Sequence, residues 1–309
     1  PPRPPVPGAA GTPGTDVVPA SGVAGPDASA AADPNGDRRF RKNEPNPAAL
    51  PSPFAPKAPT NPVPPAPPNR NPADQNLTEL KRLLRIGTER WAVMDSYEAR
   101  VVRREVVGGQ MTPTDEVFLQ FRQKPFSVYM KFIGEAGHGR EILYVQGMYK
   151  DEIQILTGAG DRFGAGKRWS FSPENPLVVS GTRHGIREAG FGNAIGRYAR
   201  AIDLLETGKI AADALKYAGP TKRQEYGEHP LELVVRTLAP KDDPQMPAGG
   251  TWHLYFDAKP DSESYGFPIL MILSDPRGGE VEYICHDRFH GPAHLTDADF
   301  SVERLGKKK

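Results

Sequence analysis

The chain has 309 residues and carries 39 Lys and Arg against 38 Asp and Glu, a formal net charge of +1 at pH 7. This nearly equal number of basic and acidic residues argues against nucleic-acid binding, because proteins that bind a phosphate backbone carry a strong excess of basic residues. No run approaches the roughly 18 apolar residues of a membrane-spanning helix. The single cysteine, Cys285, excludes an internal disulfide.

The N-terminal part of the chain differs from the rest in composition. Its first 72 residues contain 21 of the 34 prolines and only two aromatic residues, Phe40 and Phe54. Such a segment cannot bury enough apolar surface to offset the entropy of ordering. We therefore predict a disordered Pro/Ala-rich arm at 1–74 and one folded domain at 75–305.

The start of the chain suggests an exported protein. Residue Pro1 is not a methionine, so we expect that an upstream segment such as a signal peptide has been removed. A Pro/Ala-rich arm is a common spacer between a membrane and a folded domain. A lone thiol fits a reducing compartment and an exported bacterial protein equally well. We expect a location in the periplasm or cell envelope, with peripheral membrane association through the missing N-terminus.

The first predicted element is an amphipathic helix at 76–93. Apolar residues recur near one helical face between Leu77 and Trp91. Asn76 and Glu79 have the spacing of a capping box, with Asn in the Ser/Thr position. This helix is expected to pack on a sheet.

The segment 115–157 predicts an antiparallel meander. Apolar and polar residues alternate from Val117 to Phe121, and again after Pro125 as far as Phe132. Two further short apolar runs, EILYVQG and DEIQILTG, follow at the spacing of paired strands. This pattern indicates the first wall of a curved sheet.

A glycine-rich segment, GAGDRFGAGKRWSFSP, follows the meander. Five residues separate Gly160 from Gly166 where a phosphate-binding P-loop has four, and Arg168 replaces the required Ser or Thr. A strand pattern then follows where a P-loop needs a helix N-terminus. We predict a hairpin loop that leads into a short aromatic strand at 168–171.

The clearest helical stripe comes after a loop-like segment, 173–190. Apolar residues recur at helical spacing from Phe191 to Leu205, and Gly208 lies where a C-cap is expected. The rest of the chain again has strand patterns. Together they predict an α+β fold in which a strongly curved antiparallel sheet, an unclosed half-barrel of ten or eleven strands, wraps over two or more helices.

Three histidines in CHDRFHGPAH have the residue type of metal ligands: His286, His290 and His294. The glycine and proline exclude a helix that would stack the rings, and an extended strand would spread them too far apart for one ion. We interpret them as histidines at a strand end, and we expect no metal or other cofactor. Cys285 has the strand parity of a packed thiol, which places His286 on the opposite face.

A second basic group lies in the loop before the long helix and consists of Arg183, His184 and Arg187. These residues could receive an anionic head group, but solvated loop charges are the favoured interpretation.

The order of elements, with the Lys124-Pro125-Phe126 break and the motifs GREILYVQG and LTDADF, resembles domain-of-unknown-function family 1571. That family consists of exported bacterial proteins, typical of planctomycetes, without an assigned activity. The architecture is also similar to the lipoprotein-carrier fold of LolA, LolB and RseB. The resemblance covers residues 76–300 and implies an apolar cavity between a bent sheet and helices.

The leading hypothesis is a non-enzymatic envelope protein that binds an acyl chain, lipid or lipoprotein between the sheet and the helices. The alternative is a structural or regulatory interaction module whose helices fill the concave face. A hydrolase or metalloenzyme that uses the His286 region is the third hypothesis. Nothing in the sequence specifies an oligomeric state. The candidate apolar lining consists of Leu119, Phe121, Val128, Met130, Phe132, Ile195, Tyr198, Trp252, Leu254 and Phe256.

Overall fold

The fold was analysed in a computed structural model, which describes residues 71–162, 164–240, 242–243 and 246–307. The predicted disordered arm lies outside these residues as far as position 70. No helix in the described part of the chain is long and apolar enough to cross a membrane.

The first helix, α1 (Pro72–Val93), begins earlier than predicted. Asn71 caps it and accepts a hydrogen bond from a first-turn amide at 3.2 Å, and proline suits the first helical position because its missing N–H needs no partner there. The predicted capping box at Asn76 is therefore wrong. The Asn76 amide instead joins the helix to a distant strand: it donates to Leu215 O at 3.0 Å and accepts from Tyr217 N at 2.7 Å.

Twelve antiparallel strands form one sheet, which agrees with the predicted fold class; eleven lie on a continuous path and β2 pairs with β1 alone. In chain order the strands are β1 (Ser96–Val107), β2 (Gln110–Met111), β3 (Asp115–Arg122), β4 (Ser127–Phe132), β5 (Glu141–Val145), β6 (Ile153–Leu156), β7 (Arg168–Phe171), β8 (Leu215–Thr221), β9 (Leu231–Leu238), β10 (Gly250–Asp257), β11 (Pro268–Ser274) and β12 (Glu280–His290).

The spatial order of the strands is β7-β6-β5-β4-β3-β1-β12-β11-β10-β9-β8, so the sheet consists of two meanders joined where β1 pairs with β12. The predicted first wall is confirmed. Leu119 pairs with Met130 and Val117 with Phe132 across β3 and β4, and cross-strand partners share a face. The edge strands β7 and β8 do not pair with each other, and the half-barrel therefore stays open. The glycine-rich segment turns the β6–β7 hairpin, as predicted.

Two more helices follow β7: a single turn, α2 (Pro176–Val179), in the segment predicted as a loop, and α3 (Phe191–Glu206), at the predicted stripe. α3 packs against α1, where the Tyr198 hydroxyl donates to Leu80 O at 3.0 Å. Both helices share a core cluster with residues of β8, β9 and β10. The helices thus cover one half of the concave face of the sheet.

The entry into α3 requires a glycine. Gly190 has a φ of +91°, and a Cβ on it would lie 2.6 Å from the Phe121 ring. A residue without a side chain therefore sets how closely α3 approaches β3.

Candidate functional site

A cavity of about 1060 Å³ lies between the concave face of the sheet and α3. Its third wall is the segment 176–190, which we call the strap; it includes α2 and a 3-10 turn at Ile186–Glu188. Apolar side chains from both meanders contribute to the lining, from Ile155 on one side to Leu215 on the other. The cavity therefore follows the concave face across the sheet.

Six of the ten residues predicted from the sequence line this cavity: Leu119, Met130, Tyr198, Trp252, Leu254 and Phe256. The other four are buried elsewhere in the core: Phe121, Val128, Phe132 and Ile195. A role in ligand binding remains a prediction for all ten.

For three of these four residues, a neighbouring residue packs against the side chain. The Arg140 guanidinium lies 4.6 Å from the centre of the Phe132 ring. The Phe121 ring contacts Trp91, with ring centres 5.6 Å apart. Ile195 packs against α1 at Gly87. Strand and helix periodicity predicts which face a residue occupies, but a second residue on that face decides whether it stays accessible.

The sequence analysis missed the strap and the far end of the meander. Ile153 and Ile155 line the cavity, and their alternation in DEIQILT was a signal that could have identified them. The strap residues Leu177 and Ile186 also line it. Their segment has no periodic pattern, and no local signal could have placed them there.

A buried carboxylate anchors the strap to the sheet. The Glu282 side chain on β12 is 1% exposed, and His184 Nε2 lies 2.8 Å from its Oε1. Arg183 Nε lies 3.3 Å from Glu282 Oε2, an ion pair without an aligned hydrogen bond. The backbone amide of Arg183 donates to Glu105 Oε2 at 2.9 Å. Two carboxylates on adjacent strands thus hold the middle of the strap.

The basic group of the strap is therefore ion-paired, and the expectation of solvated charges is wrong. Arg187 donates to the Tyr144 hydroxyl at 2.8 Å and pairs with Asp151 and Glu174. Burial acts to lower the pKa of His184, but the hydrogen bond and charge of Glu282 outweigh it and the pKa is raised. These cationic side chains already pair with carboxylates of the protein, so the side chains are poor receptors for an external anion.

The three candidate metal ligands have separate neighbours. His286 lines the cavity with its ring centre 4.7 Å from that of Phe191, and burial lowers its pKa to about 4. His290 Nδ1 lies 3.2 Å from Glu263, and His294 Nδ1 lies 2.7 Å from Asp95. Across the described residues, no group of three or more His, Cys, Asp or Glu side chains is placed to hold a metal ion.

Cys285 is a packed thiol, as predicted. It is 4% exposed, and its Sγ lies 3.3 Å from the Tyr226 hydroxyl. Burial raises the pKa of this thiol, which keeps it protonated and a poor nucleophile. Its cross-strand partners, Leu270 and Val102, do not line the cavity.

Comparison with curated proteins finds no match. Among solved structures, an uncharacterised conserved protein from Thermus thermophilus has a TM-score of 0.40 and 9% identity, with 72% of this chain and 92% of that chain covered. Lipoprotein LppX from Mycobacterium tuberculosis has a TM-score of 0.40 and 11% identity, with 71% and 99% covered. A putative outer membrane lipoprotein-sorting protein domain from Vibrio parahaemolyticus has a TM-score of 0.36 and 10% identity, with 75% and 99% covered.

The resemblance to family 1571 that the sequence motifs predict is confirmed, because a family model matches most of the chain. That model, described as a protein of unknown function (DUF1571), matches residues 94–304, and the chain belongs to this family.

Proposed function

We propose that this protein is a non-enzymatic component of the cell envelope that binds an apolar ligand, the acyl chain of a lipid or lipoprotein, between the curved sheet and α3. The observation that carries the proposal is the cavity of about 1060 Å³ with largely apolar walls. Ligand pockets are typically about 300–1,000 Å³ and are lined mainly by apolar side chains with a few polar groups. This cavity has the composition of such a pocket, and its volume slightly exceeds that range.

The apolar lining provides the driving force for binding. Each methylene that moves from water into the cavity contributes about 0.8 kcal/mol, which is roughly a fourfold gain in affinity. Leu119 and Met130 on one meander and Leu254 on the other present apolar surface along its length. Longer chains therefore bind more tightly until the cavity is full.

The reactive side chains support a binding role rather than catalysis. Ser264, Asp257 and His229 are the residue types of a catalytic triad, but their order differs. The Asp257 carboxylate lies in the middle, accepting from Ser264 Oγ at 2.5 Å and lying 2.6 Å from His229 Nε2. The imidazole of His229 therefore contacts the aspartate, whereas the general base of a catalytic triad must contact the serine.

The competing hypothesis was an interaction module with a filled concave face. A cavity of about 1060 Å³ does not fit a filled concave face.

Export to the periplasm or envelope is part of the proposal and is supported by the Pro/Ala-rich composition of residues 1–74.

Filling the cavity tests the proposal. Ala194 on α3 lines it, so Ala194→Trp places an indole in the space that a chain would occupy. Ala212→Trp is the matched control, because Ala212 is exposed in the turn before β8 and is not part of the lining. Binding of straight-chain alcohols of increasing length is measured by displacement of the neutral probe N-phenyl-1-naphthylamine.

For the wild type and Ala212→Trp we expect about fourfold tighter binding per added methylene. Ala194→Trp should weaken binding of the longer alcohols by at least about tenfold while thermal unfolding stays within the few degrees that overpacking produces. Absence of binding by any alcohol to the wild type would refute the proposed function.

A further inference from the structure

Seven arginines and no lysine line the cavity, and they fall into two groups. Four are ion-paired to carboxylates of the protein: Arg103 to Asp115, Arg104 to Glu280, Arg140 to Asp161 and Arg197 to Glu188. The other three, Arg162, Arg200 and Arg236, form no ion pair with any residue that the structure describes. Two of these, Arg200 and Arg236, come from the elements at the α3 end of the cavity.

Arg236 lies on the concave face of the sheet among apolar residues. It pairs across the sheet with Leu215 of β8 on one side and with Trp252 of β10 on the other. All three line the cavity, and Leu215 is fully buried. A half-buried guanidinium loses hydration, and no ion pair with a described residue offsets that loss.

The surrounding charges leave this guanidinium available. Burial lowers the pKa of Arg236, and the neighbouring cations Arg200 and Arg197 act in the same direction; it remains charged because arginine does not deprotonate in proteins. Asp242 and Asp243 line the same end and act in the opposite direction. Neither forms an ion pair with Arg236, and Asp242 accepts a hydrogen bond from Ala239 N at 2.8 Å.

From this arrangement, and on the basis of the proposed function, we infer that the α3–β9 end of the cavity is an anion site. Arg200 and Arg236 bind the carboxylate or phosphate head group of an amphiphile whose chain lies along the apolar lining. The planar guanidinium fork matches both groups in a bidentate manner. The ligand class is therefore an anionic amphiphile rather than a neutral lipid.

The test uses the full chain and three ligands with the same alkyl chain: dodecanoate, dodecyl phosphate and dodecanol. Affinity is measured by displacement of N-phenyl-1-naphthylamine. A hydrogen bond to a charged group is worth roughly tenfold in affinity, so we expect at least one anion to bind the wild type about tenfold or more tightly than the alcohol. The anion that gains more identifies the head group as carboxylate or phosphate.

Arginine substitutions locate the effect. Arg236→Gln should remove most of the anion preference, measured as the ratio of dodecanoate or dodecyl phosphate affinity to dodecanol affinity, whereas Arg236→Lys should retain part of it. Arg200→Gln should give a smaller loss, because Arg200 is exposed. Arg277→Gln is the control, since Arg277 is exposed in the turn between β11 and β12 and is not part of the lining, and it should leave the preference unchanged.

Each outcome decides between the two proposals. Equal binding of all three ligands to the wild type would overturn the anion site and leave the proposed function standing, whereas no binding at all would overturn both. An equal loss of all ligands in Arg236→Gln would show a structural role and overturn the anion site. Should Arg236→Gln fail to fold, Arg236→Lys decides: its preference for dodecanoate over dodecanol should be weaker than that of the wild type, because lysine lacks the bidentate fork, and an unchanged preference would refute the site.

Discussion

Replacing Glu282 by glutamine should release the strap from the sheet. The change removes the charge that Arg183 and His184 share, and the Arg183 side chain is only 11% exposed. Removal of one partner from a buried ion pair costs roughly 3–5 kcal/mol, because the other charge is left buried and uncompensated. The strap should therefore open roughly a hundredfold or more as often as in the wild type.

Hydrogen exchange measured by mass spectrometry checks this prediction directly. Peptides that cover residues 180–190 should exchange faster in Glu282→Gln, while peptides from β4 should not change. Glu263→Gln is the matched control: Glu263 also pairs with a histidine, but its side chain is 50% exposed, and such a pair contributes at most about 1 kcal/mol. If the two variants had equal effects on the strap, the argument from burial would be wrong.

The same anchor should respond to pH. Burial opposes protonation of His184, but Glu282 outweighs burial and the pKa is raised. The contribution of the protonated ring is therefore complete below its ordinary pKa of 6.5 and is lost as the pH rises through the raised value. After correction for intrinsic exchange, strap opening in the wild type should increase over that window. In Glu282→Gln this dependence should be weaker, because only Glu188, at 3.2 Å from His184 Nδ1, then remains to favour the protonated ring.

Two further predictions concern stability. Burial lowers the pKa of His286 from 6.5 to about 4, so the neutral ring contributes roughly 3 kcal/mol to the unfolding free energy above pH 6.5, and this contribution is lost as the pH falls toward 4. The Tm of His286→Asn should therefore decline less than that of the wild type between pH 7 and 4.5. Parallel plots of Tm against pH for the two proteins would contradict this. Gly190→Ala should cost roughly 1–3 kcal/mol, because its φ is +91° and the new Cβ would meet Phe121. Gly196→Ala, inside α3 with open space around it, should instead stabilise the protein by roughly 0.5–1 kcal/mol. Similar unfolding free energies for the two variants would count against the steric argument.

Local periodicity predicted most of the fold. The alternation in β3 and β4 and the stripe of α3 are properties of neighbouring residues, and all three elements lie where the sequence places them. The start of α1 was missed because the composition before it is proline-rich, although Pro72 follows the capping residue Asn71. The role of Asn76 was missed because its partners, Leu215 and Tyr217, lie far along the chain.

The lining of the cavity was predicted only in part. Met130 and Phe132 have the same parity on β4, yet Met130 lines the cavity and Phe132 lies beneath Arg140. Parity cannot distinguish the two, because the covering residue, Arg140, comes from the connection between β4 and β5. The difference between lining and core is thus a property of packing between elements.

By itself, the sequence determined the class of the fold, the course of its meanders and the position of its longest apolar helix, because these follow from patterns within a few residues. Only the tertiary structure decided whether the concave face is filled or open, because that depends on the volume left between elements distant in the chain. The same holds for charge: Glu282 meets Arg183 and His184, while Arg236 faces the cavity without a carboxylate partner among the described residues. Electrostatic pairing depends on distance in space, which sequence spacing does not encode.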